Sequence, residues 1–92
     1  MKSEIKQIIQ IQLNHLKNQV NANNIQINFT DYLVDFISEN GYDTQFGARP
    51  LKRLIQKEIV NQLSKKILAG SINKELPVLV DVFDGVVIFR NE

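Results

Sequence analysis

The run from Leu51 to Leu68 most restricts what this chain can become. Leu51, Leu54, Ile55, Ile59, Leu63 and Ile67 recur at helical spacing, and Leu68 extends the face. This pattern predicts one long amphipathic helix from about Arg49 to Leu68, which needs an apolar wall to lie against. Pro50 suits its first turn, where a missing N–H would have no intrahelical partner anyway. Ala69-Gly70 closes it, with Lys65 and Lys66 in the last turns, where cations are favoured. The wall has to come from the rest of a 92-residue chain with no cysteine to staple it. A domain of this size buries only about 60–65% of its unfolded surface, so a single shared core must carry the stability. We read residues 1–92 as one domain.

The other elements follow from local patterns. Ser3 to about Val20 places Ile5, Ile8, Ile9, Leu13, Leu16 and Val20 at helical spacing, with Ser3 as the expected N-cap. Ile11 falls off that stripe. After Asn21-Ala-Asn-Asn24, the segment Ile25-Gln-Ile-Asn-Phe29 alternates like a half-buried strand. Thr30 is the expected N-cap of a second helix, with Asp31 complementing the dipole and Leu33, Phe36 and Ile37 on its apolar face beside Val34. Asn40-Gly41 stops it, with Gly41 expected in the left-handed C′ conformation. A loop from Tyr42 to Gly47 follows, with Tyr42 and Phe46 as its expected anchors. Val78 to Phe83 and Val86 to Arg90 flank Asp84-Gly85, a strong two-residue hairpin signal. The expected fold class is α+β: three helices packed on one face of a small three-stranded sheet, the strand at Ile25–Phe29 pairing with one strand of a C-terminal hairpin.

Composition and motifs exclude more than they suggest. Net charge is +1, so general affinity for nucleic acid is not indicated. No apolar run is long enough to span a bilayer, and the N-terminus lacks a signal-peptide core. We expect a soluble cytoplasmic protein, or a fragment of a larger one. The Gly-x-x-x-x-Gly-Lys-Ser/Thr phosphate loop is absent. Asp81 and Asp84 read as a solvent-facing strand residue and a turn former. There is no cysteine nucleophile and no serine in a nucleophile-elbow context. His15, the only histidine, has no second His or Cys to share a metal with, and reads as a partly exposed helix residue. The long helix carries Arg49, Lys52, Arg53, Lys57, Lys65 and Lys66 against Glu58. Without interleaved exposed aromatics, that face reads better as a solvated, partner-contacting surface than as a nucleic-acid patch.

Arg49 is the residue that local physics explains least. A cation at a helix N-terminus opposes the positive end of the dipole. An anion there would be favoured by both the open N–H groups and the guanidinium. The segment therefore reads as half of an anion site. The alternative is an exposed arginine that tolerates a small penalty. Arg53, one turn on, lies near it.

Gly41-Tyr-Asp-Thr-Gln-Phe-Gly-Ala-Arg-Pro-Leu-Lys-Arg53 resembles the sensor-2 segment of Clp-type AAA+ unfoldases, the ClpB disaggregase family above all. The likeness runs through the whole chain. Ile8 to Leu16 resembles the helix that opens the family's C-terminal small domain, Ile55 to Gly70 its long helix, and Val80-Asp-Val-Phe-Asp-Gly85 its closing hairpin. Thr44-Gln45 departs from the family, which often has a proline there, and this implies a looser loop.

The resemblance implies the C-terminal small subdomain of the second AAA+ module, a fragment of a larger chain. It implies that Arg49 reaches the phosphates of ATP bound on the adjacent large subdomain, with Gly47, Ala48 and Pro50 supporting it and Arg53 as a secondary contact. No complete catalytic site is expected within the chain. Magnesium would be held by the large subdomain, and neither ATP nor a metal is expected on the fragment alone. Implied partners are large subdomains of the same and the neighbouring subunit, a homohexamer, and misfolded or aggregated proteins reached through other domains; no nucleic acid or membrane is implied. The rival readings are the same subdomain of a ClpA- or ClpC-type unfoldase that feeds a protease and, more distantly, a basic nucleic-acid-binding module.

Overall fold

A computed structural model describes residues 2–41 and 49–92. The expected anchors Tyr42 and Phe46, the departure at Thr44-Gln45, and Gly47 and Ala48 lie outside the described residues. In chain order, α1 spans Lys2–Asn21, β1 Ile27–Phe29 and α2 Asp31–Asn40. The long helix is assembled from α3 (Leu51–Ile55), a π turn (Gln56–Val60) and α4 (Asn61–Leu68). The hairpin strands are β2 (Val78–Phe83) and β3 (Val86–Asn91).

The sheet order is β1-β2-β3, with β1 parallel to β2 and β2 antiparallel to β3. The strand expected at Ile25–Phe29 thus pairs with the first hairpin strand, but it starts two residues later. Ile25 donates its N–H to the Val20 carbonyl and stays tied to the end of α1, with Asn24 turning the chain at φ 66°. The hairpin closes as the Asp-Gly pair predicts. Asp84 and Gly85 both take positive φ, 53° and 75°, whose backbone twist matches the flanking strands.

One core joins these layers. Ile9 and Leu13 of α1, Leu33 and Ile37 of α2, Leu51 and Ile59 of the long helix, and Ile27, Val78 and Val80 of the sheet are all buried. The sheet's pleat puts Val78 and Val80 on the helix-covered face, and the neighbouring Leu79 and Asp81 on the other. Four sequence expectations shift here. The α1 helix begins at Lys2, so Ser3 lies inside it and is not its cap. Ile8 sits at the margin of the stripe, 39% exposed. Leu54 is half-buried rather than central. Leu68 points outward at 88% exposure, because five residues beyond Leu63 is about 140° round an α-helix.

The start of α2 is fastened to the sheet by one side chain. The Leu33 N–H donates to Thr30 Oγ at 3.2 Å, which is the N-cap expected from sequence. The same hydroxyl donates to Asp81 Oδ1 at 2.7 Å, and the Val82 N–H donates to that oxygen at 2.8 Å. Arg90 adds an ion pair at 3.6 Å. Asp81 is therefore not a free solvent-facing residue; its side chain is only 16% exposed. These bonds, that from Thr30 foremost, hold its carboxyl below the ordinary carboxylate range. A folded-state pKa below the unfolded one contributes stability that is present above the unfolded value, about 4, and is lost as pH falls through the folded value. Thermal melts between about pH 5 and pH 2 should show an acid-side loss of stability that is shallower in Asp81→Asn. Equal slopes in the two proteins would remove Asp81 from the account.

Candidate functional site

Arg49 and Pro50 form a turn at the head of the long helix, and the helix proper begins at Leu51, two residues later than the sequence suggested. Pro50 occupies the cap position with φ −73° and ψ −7°, and its carbonyl accepts the Leu54 N–H at 3.0 Å. The ring's fixed φ thus fits the cap as it would fit the first turn. Leu51, next in line, is 2% exposed and pins the corner to the core, while Arg49 is exposed. Lys52, Arg53 and Lys57 are exposed on the following turns. From residue 49 to 57 there are four cations and no carboxylate. Of the sequence-derived site residues, the structure brings Arg49, Pro50 and Arg53 together at one end of the helix.

Gly41 holds that corner against α2. It was expected to adopt a left-handed conformation, but its φ is −101°, and its N–H closes α2 by donating to the Ile37 carbonyl at 2.7 Å. Its absent side chain matters for a different reason. A Cβ built there would stand 2.5 Å from Leu51 Cδ2 and 2.8 Å from the Ile37 carbonyl oxygen. The leucine can shift, but the backbone oxygen cannot move without disturbing α2. Gly41→Ala should therefore cost about 1–3 kcal/mol, the usual penalty for overpacking. It should also displace Leu51, and with it the Arg49–Pro50 corner. A melting temperature equal to wild type would show that α2 and α3 have slack at this contact. Sequence reasoning missed this role because Gly41 after Asn40 has a sufficient local explanation as a helix stop.

On the side facing α1, the long helix leaves a groove of about 370 Å³. Its lining mixes Ile11 and Val60 with Gln12, His15 and Lys52. His15 is exposed there, as expected for a helix residue beside the stripe, and Ile11 is 57% exposed. Among the described residues no group of three or more His, Cys, Asp or Glu is placed to hold a metal ion, and no helix is long and apolar enough to cross a membrane. The arrangement places several exposed cations, Arg49 among them, at the head of the helix, a charge pattern suited to an anion.

A helical layer on a small mixed sheet, with an arginine-proline corner opening the long helix, is the architecture of an AAA+ C-terminal small domain. Residues 1–80 match the family described as the C-terminal, D2-small domain of ClpB protein, and the chain belongs to that family. It is 43% identical over 89 residues to the chaperone protein ClpB of Porphyromonas gingivalis, an alignment covering 97% of this chain and 10% of that protein. It is 37% identical over 89 residues to the ClpB chaperone of Bacteroides thetaiotaomicron, again 97% of this chain and 10% of that protein. It is 51% identical over 71 residues to that of Rickettsia bellii, covering 77% of this chain and 8% of the relative. The chain spans about a tenth of the length of these relatives.

Proposed function

We propose that this domain is the C-terminal small subdomain of the second AAA+ module of a ClpB-type, ATP-dependent protein disaggregase. In this reading Arg49 is its sensor-2 residue. The carrying observation is the exposed Arg49 beside Pro50, at the head of a helix whose other side is locked into the core by Leu51 and Ile55. A phosphate suits this corner, since residues 49–57 bring guanidinium and ammonium groups and no carboxylate of their own. In this reading no magnesium ion is placed at this corner. The metal is assigned to the large subdomain.

Bound ATP supplies the phosphoanhydride bond whose hydrolysis drives such a machine. Arg49 would grip phosphate oxygens of the nucleotide on the adjacent large subdomain and offset the negative charge that develops there. Arg53, one turn on, is a secondary contact, with Gly47 and Ala48 shaping the approach. This chain supplies no general base and no phosphate cradle. The helix behind Arg49 is anchored in the core by Leu51 and Ile55, so movement of the phosphates relative to the large subdomain would be felt by the whole small subdomain as a rigid-body rotation. Through that rotation the subdomain would contribute to a homohexameric ring acting on aggregated proteins bound by other domains.

The isolated chain tests the incompleteness of the site. One arginine corner supplies few of the contacts a triphosphate needs, and solvent screens them. Calorimetry should show an ATP affinity no tighter than about 1 mM, and the purified chain should not turn ATP over. Micromolar binding, or turnover abolished by Arg49→Ala, would sink the reading of half a site.

A further inference from the structure

We propose that the π turn at Gln56–Val60 is a phase adapter, clamped by the Gln56–Asn61 side-chain bond, that keeps the buried line of the long helix straight. The environment along this helix repeats every four residues. Leu51, Ile55, Ile59 and Leu63 are buried; Leu54, Glu58, Gln62 and Lys66 are half-buried; Arg53, Lys57, Asn61 and Lys65 are exposed. An ordinary α-helix cannot hold that frame. Each four-residue step overshoots a 3.6-residue turn by about 40°. Three steps, from Leu51 to Leu63, would accumulate about 120°, wider than the roughly 100° stripe a core-facing helix presents. One surplus residue taken up in a widened turn removes about 100° of rotation and returns both ends to the same wall.

The hydrogen bonds carry this reading independently of the burial pattern. The Asn61 N–H donates to the Gln56 carbonyl, five residues back, in place of the usual four. Over the same interval Gln56 Nε2 donates to Asn61 Oδ1 at 3.1 Å. In an α-helix, positions five apart stand about 140° apart round the axis, and their side chains do not face each other. The side-chain bond is thus available only while the turn is wide. The flanking residues also fix where the wide turn sits. Moved to the N-terminal end, it would put Lys52 and Gln56 in line with Ile59 and Leu63. Moved to the C-terminal end, it would put Glu58 and Gln62 in line with Leu51 and Ile55. Either move carries a charged side chain into the core. The same frame keeps Arg53 and Lys57 on one exposed line. This geometry holds whatever Arg49 binds.

The test changes the residue count of the helix. Removing Lys57 leaves the four buried residues at i, i+4, i+7 and i+11, a regular α-helical pattern. The deletion variant should fold cooperatively and melt no more than about 3 °C below wild type. Its amides in the former wide turn should exchange as slowly as their helical neighbours. Inserting one alanine after Lys57 leaves two surplus residues for one adapter and should lower the melting temperature by about 10 °C or more. Lys57→Ala, which keeps the count, should melt like wild type and controls for the lost side chain. A deletion variant as destabilised as the insertion variant would overturn the proposal. So would an insertion variant that melts like wild type, since helix phase would then be irrelevant to the core.

Discussion

Arg49→Ala in a full-length protein carrying this domain is expected to slow ATP turnover at the second module by on the order of 100-fold, the scale seen when one preorganised donor to developing charge is removed. The isolated domain carrying the same change should melt within about 2 °C of wild type. The two halves of this expectation come from the same geometry. Arg49 is exposed while the next apolar residue, Leu51, is 2% exposed, so the core does not depend on the arginine. Removing a cation from a helix start can even relieve an unfavourable charge–dipole contact. Arg49→Lys should restore turnover only in part, because an ammonium group cannot copy the planar fork of a guanidinium. Arg53→Ala should slow turnover less, being a turn further from the helix head. The measurement is paired: domain melting temperature and full-length ATPase rate for each variant. A destabilised domain with a normal ATPase rate would make Arg49 a structural residue and end the sensor reading.

Ile59→Ala is expected to be the most damaging single change to the fold. Ile59 is 0% exposed and sits in the π turn at the centre of the buried line. Truncating a fully buried isoleucine costs about 2–5 kcal/mol, and in a domain of this size each kcal/mol shifts the melting temperature by roughly 4–8 °C. A fall of about 10 °C or more should follow, a large share of a small domain's stability. Leu54, half-buried on the adjacent line, should cost only about 1 kcal/mol when truncated. Thermal melts of the two variants side by side check the helix phase directly. Equal losses at Ile59 and Leu54 would mean that the buried line is misassigned.

Ile59 and Leu54 share one apolar face in the sequence but not one depth in the core. Helical spacing selected Leu51, Leu54, Ile55, Ile59, Leu63 and Ile67 as one face. It could not rank Leu54 below Ile59, because the ranking depends on the wide turn. That turn is a response of the whole helix to a four-residue burial repeat. Leu68 was assigned to the face by proximity and lies outside it for the same rotational reason. At the site, Pro50 and the apolar run behind it made the position of Arg49 legible. Gly41 reads from sequence only as a stop, since its approach to Leu51 joins two helices ten positions apart in the chain.

What the sequence alone determined is the set of elements and some of their ends. Thr30 caps α2, Asp84-Gly85 turns the hairpin, and the apolar stripes give three helical stretches and three strands. Each of these rests on residues within a few positions of one another, where steric limits and hydrogen-bonding valence leave few choices. The tertiary structure alone decided the parallel pairing of β1 with β2, the bond from Thr30 to Asp81, the close approach at Gly41 and the π turn. The first three join residues 10 to 51 positions apart, and the fourth sets helix phase against a wall built from distant elements. Such contacts are selected by the fit of assembled surfaces, a property of the packed molecule that no short window of sequence contains.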